Sequence, residues 1–281
     1  MITKTLSLTN QSFQISAGQV LAVKISMDAV EFCVLDSAKK MVVALESWNI
    51  DVAEEIGAFA NALEKIKSDS SILNKEYART LVIPDNPYYT FIPNTLFIET
   101  EARKYFEFTH IISSDEIMNV DNIAELAVKN IYMLPFEADG FFRKSLTQFE
   151  YRHLTTVLIK AVLKSKTLQD KVLVNFDRKR MDIVIAMAGK LKFCNSFKFE
   201  TDEDMLYFLL NVYKQLGFDT NMMPLVLNGE IEKESSLFNL IYKYVRNVSF
   251  AENADTIKLA PFMATVRPHN YFTLFNSFTC E

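Results

Sequence analysis

Four carboxylates and one run of cations are the residues whose types and spacing could do chemistry. Asp28, Glu54 or Glu55, and Asp85 fall at the end of a first apolar run, in a first helical pattern and at the end of a later apolar run. Carboxylates converging from such places could hold two metal ions, as hydrolysis of a phosphodiester requires. The chain has 35 acidic residues in 281, so chance supplies matches to this pattern. Glu54 and Glu55 also suit a helix first turn, where they favour the macrodipole. Asp177 stands in a place similar to that of Asp28, at the end of another apolar run. Aspartate bonds readily to its own local backbone, so turn formation accounts for both.

Arg178-Lys179-Arg180, close in sequence to Lys171, Lys190 and Lys192, is the most basic stretch. It could contact an acidic protein or RNA phosphate, or be a solvated turn. His110, His153 and His269 lie far apart, and none has a neighbour at metal-ligand spacing. Cys33, Cys194 and Cys280 are odd in number and scattered, which suggests neither a disulfide framework nor a zinc site and fits a reducing compartment. No GxSxG, GxGxxG or GxxxxGK[ST] run is present.

The elements that would position these residues repeat. Val20 to Ser26, Val30 to Asp36 and Met41 to Trp48 read as three strands, followed by a helical stripe, Val52, Ile56, Phe59, Ala60, Leu63 and Ile66, capped by Asn49 or Asp51. Thr80 to Asp85 then reads as a buried strand. The order β-β-β-α-β returns with Lys171 to Asp177, Met181 to Met187, Lys190 to Phe199, a helix from Thr201 to Gly217, and Met223 to Gly229. Thr201 and Asp204 have capping-box spacing, and Gly217 suits the helix end. The length of 281 residues is comfortable for two domains, predicted at 1–168 and 169–281. The aromatic groups Tyr88-Tyr89-Phe91 and Tyr271-Phe272 could line an exposed apolar patch for a partner or a dimer.

A hydrophobic share of 49% and a charged share of 23% exclude disorder and coiled coil. The net charge of -5 gives no global attraction to nucleic acid or to an anionic membrane. No run reaches the length of a membrane-spanning helix and the first residues lack signal-peptide features, so the expected location is cytoplasmic.

A three-stranded meander followed by α-β units is the order of the ribonuclease H-like fold, and two tandem copies make the actin-like ATPase architecture, with mixed five-stranded sheets flanked by helices. The segments Pro93-Asn94-Thr95-Leu96-Phe97, Pro224 to Ile231 and Pro268-His269-Asn270-Tyr271-Phe272 resemble an uncharacterised bacterial family of this fold. That resemblance implies the fold, no activity, and a gene neighbourhood shared with a ribosomal RNA methyltransferase, a hint toward RNA or ribosome maturation. Actin-like ATPases hold phosphates on two glycine-bearing hairpins, whose counterparts here are Met27-Asp28-Ala29-Val30 and Asp177-Arg178-Lys179-Arg180. Neither has a glycine, and the chain has only 6, too few for an average share of about 7%. Gly229 stands where relatives place an adenosine-side glycine pair. The expected function is therefore a non-catalytic scaffold that binds a protein partner and no cofactor. The alternative is a degenerate ATPase or phosphotransferase, with Asp28 and Asp177 holding magnesium, Gly229 near ATP, and Arg178, Lys179 and Arg180 supplying charge to phosphate. A nuclease is the third reading.

Overall fold

The computed structural model describes residues 1–9, 18–51, 57–112, 116–178, 180–252 and 257–279. In chain order the first elements are β1 (Ile2–Thr9), β2 (Gln19–Ile25), β3 (Ala29–Asp36), β4 (Met41–Ile50), α1 (Ala58–Asp69), β5 (Arg79–Pro84) and β6 (Tyr89–Pro93). Then come α2 (Ala102–Glu107), β7 (Glu116–Ile123), β8 (Val128–Pro135), α3 (Phe136–Ser145), β9 (Phe149–Tyr151) and α4 (Leu154–Lys164). The rest are β10 (Lys171–Asp177), β11 (Arg180–Met187), β12 (Lys190–Lys198), α5 (Asp202–Gln215), β13 (Leu225–Gly229), α6 (Ser236–Tyr244), β14 (Val248–Phe250), β15 (Lys258–Leu259) and α7 (Phe272–Asn276). The chain is an α/β protein with mixed sheets. It divides into two compact units, Met1–Thr156 with Asp255–Thr265, and Val157–Ala254 with Val266–Glu281.

In unit 1 the main sheet runs β1-β4-β3-β2-β5-β9, with β15 beside β4. It has seven strands, correcting the expected five, because β1 and β15 both add to β4. That pairing also holds Asn49 inside β4, opposite Thr3 and Ala29, so it does not cap the helix. Val52 and Ile56 of the expected stripe lie outside the described residues; the described helix starts after Gly57, and the carboxylate of Glu137 accepts from the backbone N–H groups of Gly57 at 2.7 Å and Ala60 at 3.0 Å. The stripe predicted from Phe59 onward is buried: Phe59, Leu63 and Ile66 pack on Leu21, Val23, Phe32 and Val34. A separate antiparallel sheet, β6-β8-β7, carries its own small core of Ala102, Phe106, Ile131 and Met133.

Two buried carboxylates brace this unit. Glu46, in β4, accepts from the hydroxyls of Ser70 and Ser71 at 2.9 Å each and from the Trp48 indole at 3.3 Å. Asp121, in β7, accepts from the Tyr132 hydroxyl at 3.0 Å and the His153 backbone N–H at 2.8 Å. Burial pushes the Asp121 carboxyl up to about 6, against the opposing pull of these donors and of Thr156. A folded-state value raised above the unfolded one means the folded form holds the proton more tightly. The resulting stabilisation is full below pH 4 and is lost as the pH rises through 6. Acidifying from pH 7.5 to 4.5 should therefore stabilise the wild type by about 2 kcal/mol relative to Asp121→Asn, measured by urea unfolding of both proteins. Parallel pH profiles would show that no such shift exists.

Unit 2 has a five-stranded sheet, β12-β11-β10-β13-β14, antiparallel through β11 and parallel from β10 to β14. Val174, Phe176, Met181, Ile183 and Leu227 share a core with Met205 and Leu209 of α5 and Phe238 and Ile241 of α6. The predicted capping box is formed: Asp204 N–H donates to the Thr201 hydroxyl at 3.1 Å, and Thr201 N–H donates to the Asp204 carboxylate at 3.1 Å. Gly217 follows the helix with a φ of +69°. Among the described residues no helix is long and apolar enough to cross a membrane.

Candidate functional site

Paired residues in a sheet point to the same face, so ladder register decides which side chains meet. In unit 2 Ser196 pairs with Asp182, Asp182 with Asn175, and Asn175 with Asn228. Their neighbours Val174, Met181 and Leu227 face α5, so this row of four polar residues lies on the opposite face. Asp182 collects the row by accepting from Ser196 Oγ and from Asn175 Nδ2, the latter at 3.0 Å. Arg180 sits at its end, with Nε 3.3 Å from Asp182 Oδ1 and Nη2 3.2 Å from Asp177 Oδ2. Asn228 is 0% exposed, and neither atom of its side-chain amide has a hydrogen-bond partner among the described residues. Leaving such a group unpaired is costly, which marks the position as one for a polar partner.

The candidates in the second half are thus partly brought together. Asp177 ends β10 and Gly229 ends β13, two adjacent parallel strands, with Phe176 opposite Gly229. Gly229 has a φ of +80°, and a Cβ there would lie 2.0 Å from the Phe176 carbonyl oxygen. Its absent side chain lets β13 close on β10, where Glu230 N–H donates to the Phe176 carbonyl at 2.8 Å. The expected exposed basic tip is corrected at Arg180, which is buried because two aspartates draw it onto the sheet face. Arg178 is exposed, and Lys179 lies outside the described residues. Sequence reading missed Asn175, Asp182, Ser196 and Asn228; the available signal was a polar residue at alternate positions of otherwise apolar strands.

In unit 1 the turn carrying Asp28 is closed on itself. The Ser26 hydroxyl donates to Asp28 Oδ1 at 2.6 Å and accepts from Ala29 N–H at 3.1 Å, while Ser26 N–H donates to the Ala29 carbonyl at 2.9 Å. Asp85 follows β5, and Lys24 reaches both it, at 3.5 Å, and Glu31, at 3.0 Å. Glu54 and Glu55, the remaining carboxylates of the two-metal pattern, lie outside the described residues.

Beside the Asp28 turn, at the ends of β2 and β5, is a pocket of about 180 Å³. Ile25, Phe59, Met133, Leu134 and Ala138 form its apolar wall, and Met27, Tyr88, Asp85 and Glu116 also line it. Tyr88 is exposed, as expected of an apolar patch, whereas Tyr89 and Phe272 are buried in cores. The three histidines are dispersed: His153 packs on Tyr89 and Tyr132, His110 on Phe106, and His269 on Phe250, with its Nε2 3.0 Å from the Ile231 carbonyl oxygen. Its cleft in unit 2, about 530 Å³, mixes Glu232, Lys233, Glu234 and Arg267 around Phe250.

Comparison with known proteins agrees with this architecture. A family described as protein of unknown function (DUF3822) matches residues 9–248, and the chain belongs to that family. No curated protein matches the sequence. Among solved structures, a Bacteroides thetaiotaomicron protein with actin-like ATPase fold and unknown function is 22% identical, with a TM-score of 0.77 over 95% of this chain and 97% of that one. The PilM-PilN type IV pilus biogenesis complex contributes a second similar chain, 10% identical, with a TM-score of 0.58 over 93% of this chain and 96% of that one. These likenesses establish the fold.

Proposed function

We propose, from membership in a family of unknown function and an actin-like ATPase fold, that this chain is a cytoplasmic protein-binding module built from two tandem ribonuclease H-like copies, residues 1–168 and 169–281. In this reading it works without nucleotide and performs no catalysis. The observation that carries it is the state of the two turns. The Asp28 turn uses the Ser26 and Ala29 N–H groups and the Ser26 hydroxyl internally, and Asp177 spends its carboxylate on Arg180. A phosphate would need free backbone donors at those turns, and a magnesium ion would need carboxylates not already neutralised. The similar PilM chain was solved in a complex with a protein, which is consistent with partner binding on this fold.

A second reading is favoured by one observation, the buried and unpartnered amide of Asn228 in the same row as Asp182. A polar ligand such as ATP with magnesium could satisfy it, with Asp177 and Gly229 at the ends of adjacent strands of the same unit. Thermal unfolding with millimolar magnesium and ATP separates the two. A ligand at one hundred times its Kd adds about 2.7 kcal/mol, or several degrees in Tm for a protein of this size. The protein-binding reading predicts no shift. A shift of several degrees that Asp177→Ala abolishes would overturn it.

A further inference from the structure

At the start of α4, within unit 1, the hydrogen bonds fix the direction in which each proton is given. The Thr155 N–H donates to His153 Nδ1 at 3.3 Å, so that nitrogen carries no proton and the ring is uncharged; the Thr155 hydroxyl, 2.8 Å from the same nitrogen, therefore donates to it as well. The Thr156 hydroxyl donates to the Asp121 carboxylate. A hydroxyl has one proton, so both threonine oxygens are left to accept, and Asn130 Nδ2 donates to them at 3.1 and 3.0 Å. That settles which way the Asn130 amide points and leaves its Oδ1 over. The residue is 0% exposed, and Oδ1 has no hydrogen-bond partner among the described residues. A buried acceptor in this state is costly.

Ladder register supplies the missing donor. Asp121 of β7 stands directly opposite Asn130 of β8, so the two side chains share a face, with Cβ atoms roughly 4.5–5.5 Å apart. Ionised, Asp121 can only accept, and it takes the Tyr132 hydroxyl at 3.0 Å, the His153 N–H at 2.8 Å and the Thr156 hydroxyl. Protonated, it has one O–H to give, and Asn130 Oδ1 is the unfilled acceptor across the ladder. The groups facing Asp121 are Tyr132 from β8 and Arg152, His153 and Thr156 from the entry to α4. Arg152 is the charged one among them and favours the ionised form, but burial outweighs it and pushes the carboxyl up to about 6. The chain passes from unit 1 to unit 2 after Thr156, inside α4. We infer that Asp121 and Asn130 form a proton-operated latch on the first turn of α4: the ionised carboxylate holds the His153 N–H and the Thr156 hydroxyl, and protonation turns it toward Asn130 and loosens that hold. The latch operates whether or not the protein binds a partner or a nucleotide.

Carbon-detected NMR of the full chain between about pH 4.5 and 7.5 tests it, following the Asp121 carboxyl, the Asn130 side-chain carbonyl and the His153 backbone amide together. All three should titrate with one midpoint, at about 6. Two variants should move that midpoint in opposite directions. Asn130→Leu removes the acceptor of the protonated form and should lower it by about one pH unit, the equivalent of one hydrogen bond. Thr156→Val removes a donor to the ionised form and should raise it. Burial acting alone predicts the contrary for Asn130→Leu, because leucine makes the surroundings less polar and favours the neutral acid. A midpoint unchanged or raised in Asn130→Leu would therefore overturn the inference. If that variant does not fold, the wild type decides: an Asn130 carbonyl or a His153 amide that stays fixed while Asp121 titrates would overturn it equally, as would an Asp121 midpoint at the ordinary aspartate value of about 4.

Discussion

Gly229→Ala should destabilise unit 2 by more than about 4 kcal/mol, beyond the ordinary range for a single substitution. Two costs combine. An alanine held at a φ of +80° is in left-handed backbone, worth about 1–2 kcal/mol. The new methyl would also lie 2.0 Å from the Phe176 carbonyl oxygen and 2.9 Å from its nitrogen, and both are backbone atoms of a central strand that has no rotamer to yield. Relief requires the end of β13 to leave β10, which breaks the hydrogen bond from Glu230 N–H to Phe176 and displaces Asn228 from its row. Gly189→Ala is the control, because Gly189 also has a positive φ, +73°, but open space around it. It should cost about 1–2 kcal/mol. Urea unfolding of both variants decides the point: equal losses would mean that strain alone, and not close approach of the strands, requires the glycine at 229.

Glu46→Ala should cost unit 1 about 3–5 kcal/mol, the range for removing one member of a buried charged network. The Glu46 side chain is fully buried, yet donors meet both of its oxygens. Ser70 and Ser71 come from the end of α1, the Trp48 indole from β4 itself, and Ser7 Oγ, at 3.4 Å, from β1. Lys4 Nζ, 3.8 Å away, completes the set. The carboxylate therefore fastens the helix terminus and the added strand β1 to the same point of β4. Removal leaves several donors without a partner and opens a void, and each effect is destabilising by itself. Glu46→Gln keeps the shape and one acceptor oxygen, so it should recover at least half of the loss in the same urea measurement. If Ala and Gln variants were equally impaired, the charge would be the essential element and not the acceptors.

Much of the scaffold was legible because its signals are local. Alternating and continuous apolar runs located β2, β3, β4 and β5, and again β10 to β13, within a residue or two. The Thr201 capping box closes over three residues, so its spacing alone announced the start of α5. What failed to show were contacts between distant segments. β1 is half-exposed and mixed in pattern, and it becomes a strand only because β4 offers an edge. β15 has two residues and no pattern at all, and it too is created by β4. The sheet β6-β8-β7 likewise sets Asp121 and Tyr132 side by side, and Asp121 then meets the backbone of His153, which lies between β9 and α4.

The candidate sites follow the same division. Residue types by themselves determined that neither turn carries glycine, that Asp28 and Asp177 stand at the ends of apolar runs, and that the chain is rich enough in apolar residues to bury its cores. Tertiary structure decided what those residues do. It drew Arg180 between two aspartates, closed the Asp28 turn through Ser26, set four polar side chains in one row, and left an apolar pocket beside Met27 and Tyr88. The physical reason is range. Periodicity, capping and turn chemistry act over a few residues and are written along the chain, whereas ladder register, desolvation and charge pairing depend on which distant strands become neighbours.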